Sequence, residues 1–240
     1  MDKVLVFDIK AEYAHFKKYY TTTSPLTFAI PPKTTVYGII GAILGLDKSE
    51  YLKYFAAGNC QIGIGIKNPI KKTRINLNLI KTKEAKLMSR IKNRTQIRTE
   101  YLKDAEYRIY FAHQDQKIYK KLKKYLSEHK SVYSISLGLS ENLANFKFVG
   151  EYKVEKIEDN QQWAEMNTVL RIDNDNLDKQ DIDFSISNRE YFSDKIAIEM
   201  KPDREVTDYG QIVFERQGKA IKAKPKEYYQ LETGVNCILL

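Results

Sequence analysis

Residues 30–46 read IPPKTTVYGIIGAILGL, an almost wholly apolar run interrupted by three glycines. Three readings compete: a loop that cradles phosphate, a membrane segment, or a buried helix. A phosphate loop needs G-x-x-x-x-G-K-[ST], with a lysine to reach the phosphates. Here Gly41 and Gly45 are followed by Leu46 and Asp47, so that lysine is missing. A membrane span needs ~20 apolar residues, and the longest such run in the chain is about a dozen. A helix remains. Pro31 and Pro32 stop any earlier element, and Thr34 or Thr35 is placed to cap a helix running to Leu46. On a helical wheel Gly38, Gly41, Ala42 and Gly45 share one face, while Val36, Ile40 and Ile43 share the opposite one. A helix apolar all round is buried. Its small face lets another backbone approach closely, which predicts a core helix lying tight on a sheet. At its N-terminal end Lys33, Thr34 and Thr35, with free backbone N–H groups, are suited to hold a phosphate.

Outward from this helix the periodicities predict strands. Residues 3–9 (KVLVFDI) alternate and are rich in β-branched and aromatic side chains. A short second helix is expected over 48–57, then a strand over 61–67 (QIGIGIK) whose second face is bare backbone. Residues 71–81 (KKTRINLNLIK) alternate again, and a turn near Asn68 and Pro69 predicts that these two strands pair. Residues 82–99 have no clean period and are strongly basic, as in an extended loop or projecting hairpin. A strand over 106–112 and an amphipathic helix over 115–128 follow, with Ile118, Leu122, Tyr125 and Leu126 on its inner face. Residues 132–148 start like a strand and continue as a glycine turn and a short helix, before a strand over 147–157. Beyond residue 158 the patterns weaken. Short strands are expected over 181–187, 195–200 and 210–215, with a buried final strand in GVNCILL. The order predicts an α+β fold, a ferredoxin-like or RRM-like antiparallel sheet with helices on one face. It divides into residues 1–155, with a basic hairpin insertion at about 67–105, and a β-rich extension over 156–240.

The 240 residues carry 40 Lys and Arg against 31 Asp and Glu, a net charge of +9. Between Lys67 and Arg98 there are eleven Lys or Arg and a single acid, Glu84. Residues 155–195 hold eleven acids and five bases. The molecule is electrically two-sided: one part attracts phosphate, and the other repels it or meets a basic neighbour. Cys60 and Cys237 lie far apart in no metal-ligand spacing, and read as buried thiols of a reducing compartment. With no secretory n-region at the start, the expectation is a cytoplasmic protein that meets no membrane.

The basic window interleaves Arg74, Lys86, Arg90, Lys92, Arg94 and Arg98 with Thr73, Asn76, Asn93, Thr95 and Gln96. Cations neutralise phosphates, and neutral donors read bases or 2′-hydroxyls. A solvated charged loop is the plain alternative, but eleven cations with one acid repel one another without a counter-charge. Tyr13, Phe16, Tyr19 and Tyr20 are suited to stacking on unpaired bases, with Lys17 and Lys18 beside them for phosphate. No metal-dependent nuclease pattern and no cofactor motif is present. Metal-free RNA cleavage needs only a base for the 2′-hydroxyl and an acid for the leaving group. His15, with Tyr13, Lys17 and Lys18, is the candidate set; for any one of these residues a structural or surface role is the commoner use.

The same N-terminal blocks carry a family resemblance. Ala11 to Phe16 (AEYAHF), Ser24 to Phe28 (SPLTF), Pro31-Pro32 and the glycine helix that follows resemble the signature of the Cas-five family. These are CRISPR-associated proteins of the RAMP superfamily, found in type I systems. RTEYLKDAEYRIYF (98–111) and SISLGLSENLA (134–144) are similar to looser later blocks, and the closest branch is type I-B. The resemblance implies an RRM-like fold with a protruding hairpin that binds the 5′ handle of the CRISPR RNA. It implies a place at one end of the Cascade complex, touching the backbone subunit and the large subunit, with target DNA met only through the complex. Lys33, Thr34, Thr35 and the basic window would then lie along the RNA. The type I-C branch is itself an endoribonuclease using a Tyr with a Lys-His pair. Here the one neighbouring pair, His129-Lys130, is reversed and at a helix end. The expectation is an RNA-binding subunit without catalysis, with metal-independent cleavage of repeat RNA as the alternative.

Overall fold

The computed structural model describes residues 2–55, 58–80, 94–158, 162–172 and 174–240. The first half contains β1 (Lys3–Ala14), a small β2 (Phe16–Lys17) and β3 (Thr27–Phe28), then α1 (Lys33–Leu44) and α2 (Tyr51–Phe55). Next come β4 (Cys60–Ile66), β5 (Lys71–Ile80), the long β6 (Arg94–His113), α3 (Gln116–Ser127) and β7 (Asn145–Glu158). The remainder is β8 (Ala164–Met166), β9 (Leu170–Arg171), β10 (Tyr191–Met200) and β11 (Val206–Glu215). It ends with β12 (Ile221–Ala223), β13 (Glu227–Leu231) and β14 (Asn236–Cys237).

This is a mixed α+β molecule with one large sheet and few helices. The main sheet runs β12-β8-β14-β13-β7-β1-β6-β4, and β5 also pairs with β6. Its centre, β7-β1-β6-β4, is antiparallel throughout, with α1 and α2 connecting β1 to β4 and α3 connecting β6 to β7. Strand β1 shows why the sheet is covered twice. Leu5, Phe7 and Ile9 enter the cluster shared with α1 and α3, whereas Val4 and Val6 meet Leu231 and Cys237 from the C-terminal strands. Alternate side chains point to opposite faces, so the continuous apolar stretch at residues 4–7 is buried on both.

The glycines of QIGIGIK serve that second layer. A Cβ on Gly63 would lie 2.9 Å from Leu239 Cδ2, and one on Gly65 would lie 2.8 Å from Asn167 O. Bare backbone lets the C-terminal segments reach the β4 edge, where Val169 N donates to Ile64 O and Leu240 N to Ile62 O. In the GVNCILL tail Cys237 and Ile238 are buried, Gly234 is exposed and the rest half-buried, and only two of its residues form a regular strand. Its Cys237 and the Cys60 of β4 are both buried free thiols, and burial pushes each up to about 12. Native protein at pH 8 is therefore expected to resist a thiol-reactive dye, with two equivalents reacting only after denaturation. Rapid native labelling would refute this.

Several expectations are corrected. The β4 and β5 strands do not pair with each other; both pair with β6, β4 along residues 107–113 and β5 along residues 94–103. Residues 67–70 carry the chain from one stretch to the next, with Lys67 N donating to Glu106 O and Ile70 N to Arg216 O. Neither Thr34 nor Thr35 caps α1: Pro32 holds the N-cap position, and its carbonyl accepts from Thr35 N and Val36 N. The glycine face of α1 meets side chains rather than the sheet. Tyr51 lies 3.3 Å from a Cβ on Gly41, and Val132 lies 2.8 Å from one on Gly45. No helix forms over 132–148, and residues 181–187 form turns rather than a strand. Local polar bonds decide the latter, such as Ser185 N and Oγ to Asp183 Oδ1. Among the described residues no helix is long and apolar enough to cross a membrane.

Candidate nucleic-acid interface

The β5–β6 ladder stands on one edge of the sheet and has two unlike faces. Directly paired residues share a face. One face carries Lys72 with Leu102, Arg74 with Glu100, Asn76 with Arg98, Asn78 with Gln96, and Ile80 with Arg94. The other carries Ile75 with Thr99, Leu77 with Ile97, and Leu79 with Thr95. Arg74, Asn76, Asn78, Arg94, Gln96 and Arg98 are all exposed. Glu100, the acid on that face, is buried and held by Lys72 Nζ at 3.0 Å and by Thr27 N at 3.3 Å, with Arg74 Nε 4.0 Å away. Its charge is therefore matched at the base of the ladder, and among the described residues Arg94 and Arg98 farther out have no ion pair. Lys86, Arg90, Lys92 and Asn93 of the basic window lie outside the described residues.

The N-terminal residues divide between core and surface. His15 is 2% exposed, with Nδ1 2.7 Å from Glu100 O and its backbone N–H donating to Leu137 O. A ring held there cannot reach a substrate, which removes it as the base for RNA cleavage and as an RNA contact. Phe16 is buried against Tyr107 and stacks on no base. Tyr13 is partly open and meets Tyr101 edge to face. Lys17 is exposed. Lys18 turns back to Asp194 on β10, at 2.5 Å. Burial alone would lower the Lys18 ammonium, but the Asp194 hydrogen bond and charge outweigh that and raise it. Of the three partners suggested for His15, Lys18 is paired with Asp194, Lys17 is exposed, and Tyr13 packs on Tyr101, a ring that also touches buried His15.

At the N-terminus of α1, Lys33 likewise turns inward. Lys33 is buried, with its Nζ 2.7 Å from Glu199 Oε1, and Tyr37 donates to the same oxygen at 3.1 Å. Burial, then the neighbouring Cys60 and Glu199, push the Tyr37 hydroxyl well above its ordinary value. Thr34 is buried and Thr35 half-buried. The expected phosphate seat is instead an internal clamp that ties α1 to β10. A lysine after two prolines looks solvent-facing in sequence, and nothing local announces the glutamate 166 positions later.

Sequence inspection also missed partners on β10 and β11. Tyr19 and Tyr20, at the tip of the β2–β3 hairpin, are 58% and 61% exposed. Tyr19 lies 5.2 Å from the ring of Tyr209 on β11, and Lys195 of β10 stands 5.9 Å above that ring. The hairpin is joined to the ladder through Lys72, whose Nζ donates to Thr27 O at 3.2 Å.

A family model described as CRISPR-associated protein (Cas_Cas5) matches residues 4–190. Among solved structures the chain is similar to a CRISPR protein from Archaeoglobus fulgidus, at 13% identity and TM-score 0.57, covering 98% of this chain and 97% of that one. It is similar to a chain of a CRISPR RNA-guided surveillance complex at 10% identity and TM-score 0.50, covering 92% and 91%. A chain of the type III-B Cmr-beta complex bound to cognate target RNA and AMPPnP matches at 13% identity and TM-score 0.50, covering 90% and 86%. At these identities the likeness is one of fold. No curated protein sequence gives a significant match.

Proposed function

The chain belongs to the Cas5 family of CRISPR-associated proteins, and from that membership we propose that it holds the 5′ handle of the CRISPR RNA in a type I surveillance complex, without cutting it. The observation that carries this is the ladder face on which Arg74, Arg94 and Arg98 stand exposed among Asn76, Asn78 and Gln96. Cations at that spacing follow a phosphate backbone, and the amides between them reach bases or 2′-hydroxyls. We read the ladder as the base of a basic hairpin that projects from a ferredoxin-like core, a reading supported by the strand order β7-β1-β6-β4. Residues 156–240 are then an extension on the RNA-holding unit formed by residues 1–155. The open aliphatic face of the ladder (Ile75, Leu77, Leu79, Ile97) favours protein neighbours, which we take to be the backbone and large subunits. Target DNA is met through the complex, the protein is cytoplasmic, and the N-terminal blocks favour the type I-B branch.

Fluorescence anisotropy with the full chain tests this, using labelled CRISPR RNA with and without its 5′ handle. The expected result is tighter binding of the handle-bearing RNA. Its log affinity should fall with log salt by about 0.7 for each phosphate contact. Equal affinity for both RNAs, or none at low salt, overturns the proposal. The same RNA incubated in EDTA should remain intact, and site-specific cutting would restore the endoribonuclease alternative. With His15 buried, that alternative has lost its best base.

A further inference from the structure

Large aromatic rings more than half exposed on a hairpin tip call for an explanation. Tyr19 and Tyr20 meet edge to face at 5.1 Å, and Tyr19 leans on Tyr209 at 5.2 Å with the rings tilted by 51°. The three rings come from two elements far apart in sequence, the β2–β3 hairpin and β11. Tyr209 sits on a firm base: on the opposite face of β10–β11, Ile196, Ile198, Ile212 and Phe214 are buried in the main core. Two cations stand close to the rings. Lys195 Nζ lies over Tyr209, and Lys18 Nζ lies 5.9 Å from the centre of Tyr20. The carboxylates beside them in sequence are matched, Asp194 by Lys18 and Asp208 by a two-pronged pair with Arg171. Lys195 has no ion pair among the described residues.

We propose that Tyr19, Tyr20 and Tyr209, with Lys195, form a clamp in which one unpaired base of a single-stranded RNA stacks on the open rings while its phosphate meets the lysine. Aromatic faces accept any base, and a cation held over a ring supplies the counter-charge for the strand that enters. A docked protein would be served better by an aliphatic pocket, whereas the contacts described at this cluster are ring to ring and cation to ring. The clamp rests on reading the chain as an RNA binder, but it lies on elements other than the ladder and assigns the region after residue 190 a part in that binding.

A scanned set of single-stranded RNAs, each with 2-aminopurine at one position, tests the clamp on the full chain. One position is expected to be strongly quenched on binding. Tyr20→Ser with Tyr209→Thr should abolish that quench and weaken binding about tenfold or more, whereas Tyr20→Phe with Tyr209→Phe should preserve both. Removing the base at the quenched position should weaken the wild type by a similar factor and leave the Ser/Thr variant unchanged. Lys195→Gln should make the salt dependence shallower with the quench intact. If the wild type binds RNA but no position is quenched, or the abasic substitution costs nothing, the clamp is wrong and the ladder reading stands. If the wild type binds no RNA, both fall. The abasic comparison uses unmodified protein, so an unfolded variant does not spare the proposal.

Discussion

Gly138→Ala is expected to destabilise the protein by about 4 kcal/mol and to lower its thermal midpoint by roughly 10 °C. Gly138 has φ +93°, and a Cβ built there falls 1.8 Å from His15 O and 2.6 Å from His15 C. The obstacle is backbone, which cannot rotate aside as a side-chain end can. That backbone is also fixed on two sides, since His15 N donates to Leu137 O and the His15 ring is held at Glu100 O. Gly234→Ala is the control. That glycine has φ +81° with nothing within 4 Å of a Cβ, so its substitution carries strain without collision. It should cost only about 1 kcal/mol. Equal losses at the two sites, read by thermal or urea unfolding, would show that the close approach at His15 does not contribute.

Replacing Arg74, Arg94 and Arg98 together with glutamine should weaken RNA binding by about 10- to 100-fold at 0.1 M salt, and flatten the salt dependence by roughly two log units per log unit. All three side chains are exposed. Glutamine keeps a donor and tolerates a strand, so unfolding should be unchanged within about 0.5 kcal/mol. Arg74 is 4.0 Å from Glu100, but Lys72 remains at 3.0 Å to hold that carboxylate. A variant with wild-type affinity and slope would move the RNA site off the ladder. The aromatic clamp predicts a different signature, lost quenching with the salt slope largely kept.

Elements with strong period were legible from residues alone. The alternation in KVLVFDI, the bare face of QIGIGIK and the 3.6-residue stripe of α3 all correspond to observed elements, with Asp115 Oδ1 accepting from Lys117 N as the α3 cap. What was illegible shares one cause. Strands of two or three residues, such as β8, β9, β12 and β14, have no period to detect and exist because distant segments pair with them. The first residues of β6 fall in the stretch over 82–99 expected as an extended loop or projecting hairpin, because outward charges mask the alternation that β5 pairing imposes.

Chemical type was readable, and exposure was not. His15 and Lys33 looked like site residues by composition, and Gly138 looked like an ordinary turn. In three dimensions the AHF and SLG blocks are one contact, with Gly138 against the His15 carbonyl. Lys33 is bound to a glutamate on β10. The sequence by itself determined the family, the two-sided charge and the alternating strands, because these follow from residue type and short-range spacing. Only the tertiary structure decided which cations and rings remain in solvent. Burial depends on partners such as Glu100, Glu199 and Tyr209, which fold back from far along the chain.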